Sequence, residues 1–239
     1  MSGHSKWATT KRKKWAADAK RSSLFTKLAN AISIAARSGN NSETNFALRI
    51  AIEKARSASM PKENIGRAIK RGSGELGGAA IEEVIYEGYG PDGVAILIVC
   101  LTDNRQRAVA NIRSLFNRFG GSLAEAGSVS YLFEKKGQII ISLTENSKPA
   151  EELEETIIDS GADDFEIEGS DYIVYTSLNN LQSAAKFFEE QGIKIVSSEI
   201  VYLPKTTVEI AKDKQQSLSN LLEALDELDD VSEVFSNAV

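Results

Sequence analysis

Apolar residues in the first third of the chain recur at helical spacing. They stand three or four positions apart at Leu24, Leu28, Ile32 and Ala35. This spacing puts them on one face of a helix, which we expect to begin near residue 24 with Ser22 or Ser23 as its N-cap. The sequence SGNN at 38–41 joins a glycine to turn-forming residues, so the helix is expected to end there.

Two more helices are predicted before residue 75. The second covers residues 43–58, and its inward face is expected to consist of Phe46, Ile50 and Ala51. The third begins after Pro61, because proline needs no hydrogen-bond partner at the first helical position. Its predicted buried face consists of Ile65, Ala68 and Ile69. The sequence therefore predicts a small three-helix domain.

The pattern changes after ELGGAA at 75–80, which is typical of a linker. Strands are expected at 83–89 and 94–101, joined by the turn GPDG at 90–93. The second of these, VAILIVCL, is almost continuously apolar and should be a central strand. A helix at 105–119, capped by Asp103 or Asn104, and a strand at 128–133 complete the first cycle.

A second cycle follows, with strands at 138–143, 163–168, 171–176 and 193–203 and helices at 149–160 and 181–191. A last strand at 206–211 and a last helix at 215–228 are predicted after it. Strands and helices joined by short connections indicate an α+β fold with ferredoxin-like antiparallel domains. No dinucleotide-binding fingerprint and no long series of parallel strands is present.

Charge is divided unevenly between the two ends of the chain. The 239 residues carry a net charge of −6. Residues 1–75 hold 16 Lys and Arg against 5 Asp and Glu, a net of +11, and the remaining residues hold 12 against 29, a net of −17. One end of the molecule therefore attracts phosphate, and the remainder repels it.

The basic charge is densest in residues 3–28, where two tryptophans accompany it. The cations are Lys6, Lys11, Arg12, Lys13, Lys14, Lys20, Arg21 and Lys27. A run such as KRKK at 11–14 has no apolar face to bury, so it is either a solvated tail or an arm that binds a polyanion. Trp7 and Trp15 favour the arm, because they can stack on bases while the cations neutralise phosphates.

Weaker candidates lie further along the chain. The third helix exposes Arg67, Lys70 and Arg71, which suit phosphates better than base edges, so we expect weak sequence specificity or recognition of nucleic-acid shape. Arg105 and Arg107 stand near the start of a helix, where they do not complement its dipole, and are secondary candidates.

Enzymatic and metal chemistry find little support in the sequence. His4 is the single histidine and Cys100 the single cysteine, so no zinc site of nitrogen and sulfur ligands can form within one chain. The glycines of GYGPDG at 88–93 join two strands rather than a strand and a helix, which indicates a hairpin turn instead of a phosphate loop. We expect no cofactor, no metal and no catalytic residue.

Membrane association is not expected either. No stretch approaches the roughly 20 apolar residues of a membrane-spanning helix. The basic amino-terminal segment lacks the apolar stretch of a secretory signal, and its lysine-rich composition fits a mitochondrial transit peptide less well than a nucleic-acid arm.

Several stretches of the chain resemble the YebC family. They are GHSKW at 3–7, DAKRSSLFTKL at 18–28, AARSG at 35–39, MPKENI at 60–65, IKRGSG at 69–74, YEGYGPDGVAILIVCLTDNR at 86–105, GGSLAEAGSVSYLFEKKG at 120–137 and DVSEVFSN at 230–237. The similarity is ordered, runs from end to end and is highly specific.

The resemblance implies three domains and a regulatory role. The domains are a basic arm with a helical domain at 1–75, a discontinuous α+β domain at 76–134 and 205–239, and an acidic α+β domain inserted at 135–204. Family members are described as cytoplasmic or mitochondrial, and as DNA-binding transcriptional regulators or translation factors that act at the ribosome on difficult nascent sequences. The expected partner is therefore DNA or ribosomal RNA. A protein-interaction module that uses the acidic domains is the alternative of a different class.

Overall fold

The computed structural model describes residues 18–146 and 148–239. The chain forms two compact units. The first runs to residue 133 and resumes at residue 204, and the second comprises residues 134–203. The second unit is thus an insertion in the sequence of the first.

Three helices open the first unit. They are α1 (Asp18–Ala35), which continues as a 3-10 turn (Ala36–Ser38), α2 (Phe46–Ser57) and α3 (Lys62–Gly72). Their common core consists of Leu28, Ile32, Ala36, Leu48, Ile52, Ala55, Met60, Ile65 and Ala68. A Cβ added to Gly72 would lie 2.2 Å from the carbonyl oxygen of Ser33, so α1 and α3 approach this closely only because residue 72 is glycine.

Two details of the predicted helices were wrong. Helix α1 already includes Asp18, so Ser22 and Ser23 lie inside it and neither is its N-cap. The apolar spacing marks only the turns that pack, and the preceding polar turns are helical as well. The buried residues of α2 are Leu48, Ile52 and Ala55 instead of Phe46, Ile50 and Ala51. Apolar residues occupy both sides of this helix, so their spacing alone does not choose the buried side.

A four-stranded antiparallel sheet forms the rest of the first unit. Its elements are β1 (Glu82–Tyr89), β2 (Ala95–Thr102), α4 (Arg105–Phe119), β3 (Ser122–Ala124), α7 (Lys212–Asp226) and β8 (Val231–Ser236). The strand order is β3-β1-β2-β8. Helices α4 and α7 cover the sheet through a shared core that includes Ile98, Phe116 and Leu221. The central strand β2 is buried along almost its whole length, as its apolar sequence predicts.

The second unit contains β4 (Phe133–Ser142), α5 (Ala150–Asp159), β5 (Asp164–Glu168), β6 (Asp171–Thr176), α6 (Leu181–Glu190) and β7 (Ile195–Pro204). The strand order is β5-β6-β4-β7, which together with the βαββαβ sequence of elements is the ferredoxin-like arrangement. The predicted α+β class, with a helical domain followed by antiparallel sheets, is confirmed.

Two predicted strands are absent from the described structure, and two real ones were missed. Of the predicted strand at 128–133, only Phe133 is a strand residue, as the first residue of β4. Residues 128–129 form a bend and Ser130–Leu132 a 3-10 helix, because the buried carboxylate of Glu87 accepts the amide N–H groups of Val129 and Ser130. Residues 206–211 contribute one isolated bridge, between Val208 and Ala238. The missed strands are β3, which has only three residues, and β8, which follows the helix that we expected to be last.

Candidate nucleic-acid interface

The densest part of the predicted interface lies outside the described residues. This holds for Lys6, Trp7, Lys11, Arg12, Lys13, Lys14 and Trp15. Lys20 and Arg21 lie in α1, the helix into which the basic segment leads. The described part of the interface therefore begins with α1 and continues to α3.

Helix α3 presents two of the predicted interface cations to solvent. Arg67 and Lys70 are exposed, and their three-residue spacing puts them on one face of the helix. Neither forms an ion pair with any residue that the structure describes. They line a shallow groove of about 370 Å³ together with Glu63, Gly66 and Leu76. The guanidinium group of Arg67 and the ammonium group of Lys70 are therefore available to bind a phosphate.

Lys27 is engaged with the α+β part of the same unit. Its ammonium group donates to the backbone carbonyl of Asp226 and lies 3.4 Å from the carboxylate of that residue. Asp226 is the last residue of α7, where a cation also complements the helix dipole. Only 16% of the Lys27 side chain is exposed. In the described structure Lys27 therefore links α1 to α7. Unlike Arg67 and Lys70, it is not exposed to solvent.

A chain of charged groups joins α3 to α4. Arg71 donates to one carboxylate oxygen of Asp103 at 3.0 Å, and Arg107 donates to the other at 2.9 Å. Arg107 also holds both carboxylate oxygens of Asp230, at 2.6 and 3.0 Å. The hydroxyl of Thr102 donates to Asp230 at 2.8 Å. Arg71 and Arg107 therefore stabilise the fold through ion pairs with Asp103 and Asp230.

The electrostatic state of this network follows from its hydrogen bonds. Partial burial alone raises the pKa of Asp103, but hydrogen bonds from Arg107 and Arg71 outweigh burial and hold the pKa below its usual value. Asp103 is thus ionised at neutral pH and pairs with both arginines.

Arg105 is paired as well, although in a more exposed position. Its Nε donates to a carboxylate oxygen of Glu82 at 2.6 Å, and its backbone carbonyl accepts from the hydroxyl of Tyr86 at 3.1 Å. The side chain of the preceding residue, Asn104, accepts the amide N–H of Arg107 and caps α4. The prediction of a cap at this point is confirmed, and Asn104 rather than Asp103 provides it.

Sequence reasoning passed over three further cations in the helical region. Arg37, Arg56 and Lys62 are exposed and form no ion pair with a described residue. Each stands alone or beside one neighbour in the sequence, so no run of charge draws attention to it. The excess of cations in residues 1–75, sixteen against five carboxylates, is the signal that points to them.

Chemistry other than charge pairing is sparse in the described structure. Cys100 is fully buried, and burial raises the pKa of its thiol to about 12, so it is an unreactive core residue. Within 18–146 and 148–239, no three His, Cys, Asp or Glu side chains lie close enough together to hold a metal ion. No helix in the same ranges is long and apolar enough to cross a bilayer.

Comparison with known proteins identifies the family. Residues 5–75 match the model of the TACO1/YebC protein N-terminal domain, and residues 81–238 match that of the TACO1/YebC second and third domain. A "Probable transcriptional regulatory protein" of Thermotoga maritima is 49% identical over 99% of this chain and 93% of its own length. Its counterpart in Pelotomaculum thermopropionicum is 45% identical over 99% and 98%.

A solved structure agrees with this assignment. The crystal structure of a conserved hypothetical protein from Aquifex aeolicus has a TM-score of 0.85 and 44% sequence identity, and the match covers 93% of this chain and 91% of that one. The chain belongs to the TACO1/YebC family.

Proposed function

We propose that this protein is a non-enzymatic, DNA-binding transcriptional regulator that contacts nucleic acid through its basic arm and helical domain. The observation that carries the proposal is the distribution of unpaired cations. Arg67 and Lys70 face solvent without a carboxylate partner among the described residues, whereas Arg105 and Arg107 are paired. The names of the relatives from Thermotoga and Pelotomaculum support a role in transcription.

The proposed interface joins the two parts of the helical region. Its residues are Lys6, Trp7, Lys11, Arg12, Lys13, Lys14, Trp15, Lys20, Arg21, Arg67 and Lys70, with Lys27, Arg71, Arg105 and Arg107 available only if their carboxylate partners release them. Contacts of this kind go to phosphates, so they fix the position of the protein on nucleic acid with little base specificity. The acidic remainder, with a net charge of −17, keeps the rest of the surface away from the polyanion.

Reversal of charge in the arm tests the proposal. Lys13→Glu with Lys14→Glu should lower the affinity for duplex DNA at least several-fold and leave the melting temperature unchanged, because the sequence KRKK has no apolar face to bury. Lys212→Glu with Lys214→Glu is the matched control, since it makes the same charge change at the exposed start of α7. Equal affinity in the arm variant and the wild type would refute the proposed role of the arm and favour an interaction module built on the acidic domains.

Ribosomal RNA is the second candidate target, and it is favoured by the same lack of base-reading side chains on α3. Sedimentation of a lysate through sucrose distinguishes the two. Co-migration with ribosomes that is lost in the arm variant would assign the protein to translation, and migration at the top of the gradient would leave DNA as the target.

A further inference from the structure

A second groove lies where the ends of α1 and α3 meet. It encloses about 290 Å³, and its lining comprises Ser33, Arg37, residues 71–74 and residues 77–81. Gly72 is one of the lining residues, and the carbonyl of Ser33 approaches it so closely that no side chain fits there. Gly74, Gly77 and Gly78 have positive φ, and a Cβ on any of them would meet nothing within 4 Å. Bare backbone therefore forms much of the wall.

The hydrogen-bonding groups of this wall remain available. The amide N–H groups of residues 77–80 donate to no described residue. Other polar atoms of the lining do have partners. The hydroxyl of Ser33 donates to the carbonyls of Ala29 and Ala68, each at 2.9 Å. The hydroxyl of Ser73 donates to the carboxylate of Glu75 at 2.8 Å, and the carbonyl of Ala79 accepts from Arg71 at 3.5 Å. Adjacent free amides in a glycine-rich turn are typical of anion-binding backbone.

Arg37 supplies the attraction of the groove for an anion. It is exposed and forms no ion pair within the described residues. Asp103 offsets the charge of Arg71 at 3.0 Å, and the carboxylate of Glu75 and the carboxyl ends of α1 and α3 add negative charge nearby. Of the two lining cations, Arg37 is therefore the one that no described carboxylate neutralises.

We propose that this groove binds a phosphodiester group of the nucleic-acid backbone, with Arg37 as its principal ligand and Arg71 as a second. The guanidinium fork suits two phosphate oxygens at once. The volume lies near the lower end of small-ligand sites, roughly 300–1,000 Å³, which is enough for a phosphate and its sugar. The inference rests on the proposed function, because it names one contact within the same helical region.

Arg37→Gln in the full-length chain tests the assignment. The affinity for a fixed duplex DNA should fall several-fold, and the slope of log K against log salt should become shallower by about 0.9, the value expected for one lost phosphate contact. The melting temperature should not change, because the side chain is exposed. Arg113→Gln is the matched control, an equal change of charge on an exposed arginine of α4. It should alter neither the affinity nor the slope.

Ala79→Asp tests the groove without removal of a cation. It places a carboxylate on the wall, so it should weaken DNA binding at least as much as Arg37→Gln. If the arm variant loses affinity while Arg37→Gln and Ala79→Asp keep the wild-type affinity and salt slope, the groove assignment is overturned and the proposed function stands. If the arm variant binds normally, the proposed function fails independently.

Inorganic phosphate serves as the remaining probe. In calorimetric titration, weak binding that vanishes in Arg37→Gln agrees with a contact to a backbone phosphate. Micromolar binding of phosphate alone, with no change of DNA affinity in Arg37→Gln, would reassign the groove to a free anion and contradict the proposal.

Discussion

Two pairs of cations, one on α3 and one at the start of α4, differ in whether carboxylates hold them. On α3, Arg67 and Lys70 extend into solvent with no carboxylate partner among the described residues. On α4, Arg105 and Arg107 are held by carboxylates at 2.6 Å. The number of cations on a helix therefore does not by itself measure its capacity to bind phosphate, because carboxylates already hold some of these cations.

The difference has a simple electrostatic origin. Residues 1–75 hold five acids for sixteen cations, so carboxylates are scarce in this part of the sequence. After residue 75, seven of the twelve cations form an ion pair, and Arg113 and Arg118 of α4 are among those that form none with a described residue. Arg71 lies at the boundary, since it belongs to α3 but pairs with Asp103 at the start of α4.

The largest effect is expected where pairing is most buried. Asp230→Asn removes the carboxylate that Arg107 and Thr102 both contact, and only 11% of the Asp230 side chain is exposed. We expect a loss of about 2–3 kcal/mol in the free energy of unfolding, at the lower end for broken buried pairs because Arg107 is half exposed. Urea titration measures the loss. A stability change below about 0.5 kcal/mol would contradict the structural role of the α4 cations.

The next effect concerns a carboxylate that binds backbone rather than arginine. Glu87 is buried and accepts amide N–H groups from Gly127, Val129 and Ser130 at 2.6–2.9 Å. Burial alone raises its pKa, but these hydrogen bonds outweigh burial and hold the pKa of Glu87 below its ordinary value near 4.5. A depressed pKa contributes stability at neutral pH, and this contribution is lost as the pH falls below about 4.5 and through the folded-state value.

Glu87→Gln should therefore cost about 2 kcal/mol at pH 7 and flatten the stability profile on acidification. Unfolding midpoints between about pH 7 and pH 3 provide the measurement. A variant whose stability falls with acid as steeply as that of the wild type would show that Glu87 is not the titrating group.

The third effect concerns the unpaired cations of α3. Arg67→Gln with Lys70→Gln should lower the affinity for duplex DNA about tenfold, or about 1.4 kcal/mol, and reduce the salt slope by roughly 1.8, because two phosphate contacts are lost. Stability should stay within about 0.5 kcal/mol of the wild type. Binding isotherms at several salt concentrations measure both the affinity and the salt slope. A large loss of stability with unchanged binding would show that Arg67 and Lys70 serve the fold and not the binding of phosphate.

Local patterns predicted those parts of the fold that depend on neighbours in sequence. The strand VAILIVCL corresponds to β2 within one residue at each end, and residues 171–176 correspond to β6 to the residue. A continuous apolar run or a strand bounded by turn residues carries its own signal. The three helices of the amino-terminal region were found for the same reason, although the buried side of α2 was not.

Contacts distant in sequence could not be read in this way. Arg107 and Asp230 are separated by 123 positions, and Lys27 and Asp226 by 199. No local pattern tells which cation meets a carboxylate after folding, so the paired and unpaired candidates looked alike. The hydrogen bonds that Glu87 accepts could not be predicted either, because their donors lie 40 or more positions away. They hold a segment with a strand-like sequence as a 3-10 turn.

The smallest effect is expected for the exposed ion pair between Glu82 and Arg105, and it tests directly whether a carboxylate partner keeps an arginine from binding phosphate. Glu82→Gln removes the partner of Arg105 in an ion pair whose two side chains are about half exposed. Exposed pairs contribute little, so the free energy of unfolding should change by no more than about 0.5 kcal/mol. The released guanidinium then resembles those of α3, and the affinity for duplex DNA should rise by at most about twofold at low salt and not at all at high salt. Isotherms of the variant and the wild type in parallel provide the measurement. A lower affinity after the partner is removed would mean that carboxylates do not govern which cations bind phosphate.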